Sequence, residues 1–145
     1  MKESYFPFSR YLKEKFGTRV HRLSLNAGFS CPNKDGTLGT DGCIFCNENG
    51  FSHFAGSQIP LKKQIEVAMG FFRKRFKADK FIAYFQNGSS TNADPKSLRS
   101  AYDVVRGYPD IVGMSISTRP DCIDEERLDL IESYSQDYDV WIEYG

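Results

Sequence analysis

Four segments with the pattern of β-strands constrain the fold of this chain more than any other feature: the first alternates apolar and polar residues, and the other three are mainly apolar. Their sequences predict β-strands over residues 20–25, 81–85, 111–116 and 139–144. The second and third are continuous apolar runs, which is typical of strands that are buried on both faces. Strands that alternate with helices form parallel sheets with right-handed crossovers. We therefore predict an α/β fold with a parallel sheet of about four strands.

The segments between the last three strands, and the one before the second strand, carry apolar residues at helical spacing. Asp94-Pro95 has the pattern of an N-cap followed by proline at the first helical position, and Asp124 can cap a further helix. The apolar stripes of the three predicted helices are Leu61, Ile65, Ala68, Met69, Phe72 and Phe76; then Leu98, Ala101, Tyr102 and Val105; then Leu128, Ile131 and Tyr134.

The length and charge of the chain limit its organisation and its partners. With 145 residues, we expect an N-terminal lead-in over residues 1–19 and a single domain over residues 20–145. The formal net charge is zero, so nothing attracts nucleic acid over the whole surface. No apolar run approaches the roughly 20 residues that cross a bilayer, and the first residues lack the apolar core of a signal peptide. We therefore expect a cytoplasmic protein without a membrane partner.

The fourth predicted strand is apolar, and no helix follows it. Such a strand leaves an edge and a face uncovered. We expect either that the chain is part of a longer protein or that another chain covers this surface. Self-association through the fourth strand is the predicted consequence.

A long segment rich in glycine, asparagine and cysteine, residues 26–60, follows the first strand. Loops of this length without regular structure are usually functional. Cys31, Cys43 and Cys46 form a C-x11-C-x2-C pattern, whereas Cys122 lies far away and is interpreted as a packed thiol. Three thiolates can hold an iron–sulfur cluster and leave one iron without a protein ligand. In α/β proteins the carboxyl end of a strand is where active sites form.

Three other interpretations of these cysteines stay open. Cys31, Cys43 and Cys46 together with His53 would make a Cys₃His zinc site in a binding module. Cys43 and Cys46 alone could form a redox pair, although Cys31 would then have no role. A cluster without a substrate site would make the protein an iron–sulfur electron carrier.

The segment LNAGFSCPNKDGTLGTDGCIFCNENG, residues 25–50, resembles bacterial radical S-adenosylmethionine (SAM) proteins related to the elongator catalytic subunit. The resemblance continues through FIAYFQNGSSTNADP and VGMSISTRPDCIDEERLDLIESY to DVWIEYG. It implies the N-terminal portion of a radical SAM (β/α) barrel with a [4Fe–4S] cluster on the three cysteines. It also implies reductive cleavage of SAM to a 5′-deoxyadenosyl radical that abstracts hydrogen from an unknown substrate. An external electron donor is then required, and transfer RNA is one candidate substrate because elongator-type relatives modify it.

The resemblance also implies residues that bind SAM. Phe45 stands where the family packs an aromatic ring against the adenine side of the cofactor. Gly88 and Ser89 stand where the family contacts the amino group of SAM, although the family's glutamate is absent and the segment could simply be a turn. Glu143 resembles a strand-end glutamate that meets the ribose or the amino group. Arg119 could clamp a carboxylate bidentately or pair with Asp121, and the sequence leaves both open.

Overall fold

The computed structural model describes residues 4–44, 46, 55–56 and 58–145. Two short 3₁₀ helices accompany the main elements, at Asp103–Gly107 and Pro120–Cys122. The helices and strands follow one another in the order α1 Phe8–Phe16, β1 Val20–Leu25, α2 Leu61–Phe76, β2 Lys80–Phe85, α3 Pro95–Tyr102, β3 Ile111–Thr118, α4 Glu125–Glu132 and β4 Asp139–Tyr144.

The strands form one parallel sheet in the order β1-β2-β3-β4. The predicted α/β class is therefore confirmed, together with all four strands. β3 extends two residues beyond the predicted end, to Thr118, because Ser117 and Thr118 still pair with Glu143 and Tyr144 of β4. Asp94 and Asp124 cap α3 and α4 as predicted, each accepting a hydrogen bond from a backbone N–H of the first turn.

The core lies between one face of the sheet and helices α2, α3 and α4. Side chains that alternate along each strand point to this face, as the two-residue period of a strand requires. The largest buried members of the core are Leu23, Leu25, Ile65, Phe81, Phe85, Leu98, Tyr102, Met114, Ile116 and Tyr134.

One predicted core residue is wrong. Leu128 on α4 is 41% exposed, while Leu130, Ile131 and Tyr134 are buried. Successive residues of a helix are rotated by roughly 100°. The stripe centred on the three buried residues therefore faces the sheet only when Leu128 is turned away from it.

The predicted lead-in contains helix α1, which sequence periodicity did not reveal. α1 has a single buried residue, Leu12, and no side-chain cap at Pro7. It lies on the sheet face opposite the core: the ring of Phe8 contacts that of Trp141 at 5.8 Å, and the guanidinium of Arg22 lies 5.2 Å from the Phe8 ring. Lys15 pairs with Asp139 at 2.5 Å. Contacts with β1 and β4 thus hold α1 across this second face.

β4 forms one edge of the described sheet, and its residues are half-buried or exposed. Self-association through this edge stays a prediction. In the described part of the chain, none of the helices combines the length and the apolar character needed to span a membrane.

The hydroxyl of Tyr102 provides a test of the core. It donates a 2.7 Å hydrogen bond to the carbonyl oxygen of Ser90, and the residue is fully buried. We expect Tyr102→Phe to lower the free energy of unfolding by about 1 kcal/mol, because a buried carbonyl loses its partner while the ring is retained. Urea denaturation measures the change.

Tyr108→Phe is the matched control, since the hydroxyl of Tyr108 makes only long contacts of 3.4 Å at the surface. An equal loss in the two variants would contradict this account of the core.

Candidate functional site

The predicted site residues gather at the carboxyl edge of the sheet. Because the strands are parallel, the segments that leave β1, β2 and β3 all emerge at this edge. These segments carry the cysteines, the Gly88-Ser89 pair and Arg119, respectively. Phe45 and His53 lie outside the described residues.

The segment after β2 docks directly onto the cysteine segment. The backbone N–H of Ser89 donates to the carbonyl oxygen of Ser30 at 3.1 Å, and the side-chain amide of Asn92 donates to the Ser30 hydroxyl oxygen at 2.9 Å. Asp35 accepts further hydrogen bonds from the Thr37 N–H and the Ser30 hydroxyl. These bonds, with Thr37 contributing most, lower the pKa of Asp35 to about 2. Asp35 is therefore ionised at neutral pH and holds the start of the segment in a fixed turn.

Gly88 makes the closest approach between the two segments. It has φ +71°, and a Cβ at this position would lie 2.6 Å from the carbonyl oxygen of Phe29 and 3.1 Å from that of Ser30. Only glycine avoids both the left-handed backbone strain and the collision with backbone atoms. Gly88 therefore contributes to the site by letting the β2 segment lie against the cysteine segment.

Gln64, near the start of α2, fastens both ends of the long loop. Its Oε1 accepts from the N–H of Asn26 at 2.9 Å, and its Nε2 donates to the carbonyl oxygens of Ile59 at 2.6 Å, Asn26 at 2.9 Å and Gly56 at 3.2 Å. The residue is fully buried. One side chain thus holds the beginning and the end of the loop that carries the cysteines.

Ser89 takes part in a buried chain of hydroxyl groups. Thr91 Oγ1 lies 2.6 Å from the carbonyl oxygen of Cys122, to which it must donate, because a carbonyl only accepts. Thr118, at 2.5 Å, must then donate to Thr91, and Ser89, at 2.9 Å, must donate to Thr118. The Ser89 hydroxyl therefore donates its proton to Thr118. Its predicted contact with a cofactor stays a prediction.

The cysteines of the segment are free thiols. Cys31 and Cys43 are half-buried, and Cys46 is exposed. Within the described residues, no three side chains of His, Cys, Asp or Glu lie close enough together to hold a metal ion. The donor chemistry nevertheless fits an iron–sulfur cluster or zinc, because three soft sulfur ligands share one segment. One of them, Cys43, already accepts a hydrogen bond from the side-chain amide of Asn33, at 3.2 Å. Cys122 is buried, as its interpretation as a packed thiol predicts.

Arg119 makes a bidentate ion pair with Asp121. Its Nε and Nη2 donate to the two carboxylate oxygens at 2.8 and 2.6 Å. The hydrogen bonds to Asp121 raise the pKa of the guanidinium above its usual value. Of the two interpretations left open by the sequence, the structure contains the pair with Asp121. The role of Arg119 in binding a cofactor stays a prediction.

Glu143 lies on the sheet face that α1 partly covers. Its Oε1 lies 3.0 Å from Nη2 of Arg22 on β1 and accepts a 2.6 Å hydrogen bond from the hydroxyl of Ser115 on β3. The Arg22 guanidinium stacks on the ring of Tyr84, 4.9 Å from its centroid. Burial, followed by the charge of Glu143, raises the pKa of the Tyr84 hydroxyl. All four strands therefore contribute to one polar cluster around Glu143.

Asn87 is a donor without a partner at the same edge. Its Nδ2 atom is buried and has no hydrogen-bond acceptor among the residues that the structure describes. It precedes Gly88 and also has a left-handed backbone, with φ 78°. Buried amides normally have a hydrogen-bond partner, so this Nδ2 atom is a donor available to a water molecule or a ligand.

The sequence alone did not identify several residues of the candidate site, namely Arg22, Asn33, Gln64, Asn87 and Ser115. A glutamine at a core position of the α2 stripe was the one local signal, since a buried amide requires partners. The other four depend on contacts that no local pattern encodes.

Comparisons with known proteins identify relatives of this chain. It is 40% identical over 139 residues to protein YhcC of Escherichia coli strain K12, an alignment that covers 95% of this chain and 44% of YhcC. It is 36% identical over 142 residues to YtqA of Bacillus subtilis strain 168, covering 97% of this chain and 44% of YtqA. It is 37% identical over 140 residues to MJ0486 of Methanocaldococcus jannaschii, an alignment that covers 93% of this chain and 42% of MJ0486.

The chain thus spans less than half the length of these curated relatives. No protein-family model matches it. No solved structure matches it significantly.

Gly88→Ala tests the docking of the two segments. We expect it to lower the free energy of unfolding by about 2 kcal/mol or more, because the new Cβ is strained at positive φ and collides with the Phe29 carbonyl. Urea denaturation measures the loss, and limited proteolysis should show faster cleavage within residues 26–46. Gly107→Ala is the control, since a Cβ at Gly107 would have no atom within 4 Å; matching losses in both variants would refute the docking role.

Gln64→Met tests the clamp on the loop. The substitution keeps the length of the side chain but removes every hydrogen bond, so we expect a loss of about 2–3 kcal/mol in unfolding free energy. Lys63→Met, on the exposed neighbouring position, should change stability by less than about 0.5 kcal/mol. A Gln64→Met protein as stable as the Lys63→Met protein would show that the clamp is not needed.

Proposed function

We propose that this chain is the N-terminal portion of a radical SAM enzyme, with Cys31, Cys43 and Cys46 as the ligands of a [4Fe–4S] cluster. The substrate is not specified by the proposal, and transfer RNA stays one candidate. When bound and reduced by an external electron donor, the cluster would supply the one electron that cleaves SAM to methionine and a 5′-deoxyadenosyl radical. That radical would abstract hydrogen from the substrate. The protein's own part is to bind, orient and shield these groups.

The observation that carries the proposal is the docking of the cysteine segment at the carboxyl edge of a parallel sheet. The bonds of Ser89 and Asn92 to Ser30 hold the segment beside the ends of β2 and β3. A zinc staple that only stabilises a module has no need of this position. An enzyme does, because side chains from several strand ends converge there.

Each part of the edge then has a role in binding. Cys46 is exposed, so its thiol is accessible to iron and sulfide. The buried Nδ2 of Asn87 supplies a donor for an acceptor group of SAM, such as its carboxylate or a ribose oxygen. Gly88 brings the backbone of the β2 segment close to the cysteines. Phe45 completes the adenine side in this proposal.

The polar cluster around Glu143 provides a second group of contacts. Glu143 is fixed by Arg22 and Ser115, so its carboxylate is oriented before any ligand arrives. Its side chain is 34% exposed and can accept a hydrogen bond from the ribose or amino group of SAM. Arg119 holds Asp121 with Nε and Nη2, which leaves its Nη1 donors for a carboxylate of SAM or of the substrate.

The four-stranded parallel sheet is compatible with part of a (β/α) barrel. The ion pair between Arg22 on β1 and Glu143 on β4 supports this arrangement, because it joins the two outer strands across the face that would line the barrel. In the proposal, residues 20–145 form the first four strands of the barrel, and α1 covers its amino-terminal side.

The test is anaerobic reconstitution with iron and sulfide, followed by electron paramagnetic resonance (EPR) of the reduced protein with and without SAM. We expect a cluster signal that changes shape when SAM is added, because SAM chelates the iron that lacks a protein ligand. Cys43→Ala should abolish the signal, whereas Cys122→Ser should retain it, since Cys122 is a packed thiol.

Two results would reject the proposal. About one zinc ion per chain, with no EPR signal, would favour the Cys₃His binding module that includes His53. The later strands of the barrel would complete the SAM pocket, so we expect this chain alone to bind SAM weakly. A cluster signal that is indifferent to SAM both in this chain and in the full-length protein would favour an electron carrier.

A further inference from the structure

We propose that Asn33 is a positioning residue for Cys43, and that its side-chain N–H···S bond sets the reduction potential of the cluster. This inference rests on the proposed function. It begins from the hydrogen bond between Asn33 Nδ2 and Cys43 Sγ, at 3.2 Å, in a part-buried environment. Asn33 lies inside the eleven-residue gap between the first two cysteines, so the gap itself supplies the contact.

The gap is a folded double turn rather than an open loop. The chain turns immediately after Cys31, whose carbonyl oxygen accepts hydrogen bonds from Lys34 and Asp35. The carbonyl oxygen of Pro32 then accepts from the N–H groups of Leu38 and Gly39, at 2.8 and 3.2 Å. The returning part of the turn is therefore held against the residues that follow Cys31.

Asn33 closes this turn next to Cys43 with both its backbone and its side chain. Its carbonyl oxygen accepts a 2.8 Å hydrogen bond from the N–H of Gly42. Gly42 has φ +71°, a left-handed conformation that residues with a side chain rarely adopt. The backbone on either side of the Asn33–Cys43 contact is thus fixed, so the amide is held facing the sulfur.

The chemistry of an amide suits this position. Asparagine is neutral and donates through nitrogen, so it stabilises a thiolate without competing with it as a metal ligand. Hydrogen bonds to cluster sulfurs stabilise the more negative, reduced state and raise the reduction potential. Loss of this donor should therefore lower the potential and make the cluster harder to reduce.

The experiment compares reduction potentials of reconstituted proteins by EPR-monitored redox titration. Asn33→Ala removes the donor, and Asn33→Asp keeps the shape of the side chain but replaces the donor by a negative oxygen. We expect both to shift the potential to more negative values. The expected size is a three- to tenfold change in the ratio of reduced to oxidised cluster, up to about 59 mV for a one-electron couple. Asn33→Asp should give the larger shift.

Asn92→Ala is the matched control. Asn92 also holds the cysteine segment, but it donates to Ser30 and Asp35 and not to sulfur. We expect Asn92→Ala to lower thermal stability while leaving the potential at the wild-type value. If loosening of the segment were the cause of the effect, Asn92→Ala would shift the potential as well, and the assignment to Asn33 would fall.

The remaining outcomes separate the two proposals. A wild-type cluster whose potential is unchanged in Asn33→Ala and Asn33→Asp would overturn the role of Asn33 and leave the proposed function intact. A wild-type chain that forms no cluster would remove both. If Asn33→Ala does not form a cluster, the test uses Asn33→Asp, which keeps the side-chain volume. A more negative potential in Asn33→Asp supports the role of Asn33, and an unchanged potential overturns it.

Discussion

The close contact between the cysteine segment and the segment after β2 determines the rest of the site. Gly88 lies so near the carbonyl of Phe29 that no other residue fits there, and the neighbouring Ser89 N–H bonds to Ser30. This contact fixes the first cysteine relative to the strand ends. The hydroxyl groups of Ser89 and Thr91, in the same segment after β2, are hydrogen-bonded to the hydroxyl of Thr118 at the end of β3. The sheet thus fixes the start of the cysteine segment, next to Cys31.

The two faces of the sheet differ in polarity. The face toward α2, α3 and α4 is apolar and supplies the stability of the fold. The opposite face carries Arg22, Tyr84, Ser115 and Glu143, which would be costly to bury without partners and which satisfy one another. The polar cluster and the apolar core therefore lie on opposite faces of the sheet.

Sequence patterns predict the strands of this chain because β1 alternates apolar and polar residues and the other strands carry mainly apolar side chains that must be buried. It fails for α1, whose nine residues bury a single leucine and whose remaining contacts depend on Trp141 and Asp139, distant in the sequence. The cysteines and Glu143 could be identified from spacing and resemblance. Gln64 and Asn33 could not be assigned their contacts in this way, since a hydrogen bond across 38 residues, or one that depends on a particular turn, leaves no local pattern.

The central claim is that the fold orders the cysteine segment before any metal binds. Hydrogen exchange of the metal-free chain tests it most directly, at the amides of Leu38, Gly39, Gly42 and Ser89, which all donate to backbone carbonyls of this edge. The account predicts that these amides exchange much more slowly than in an unstructured peptide, as part of the sheet's cooperative unit. Exchange at the rate of an unstructured peptide would contradict it and would mean that the sheet does not order the segment.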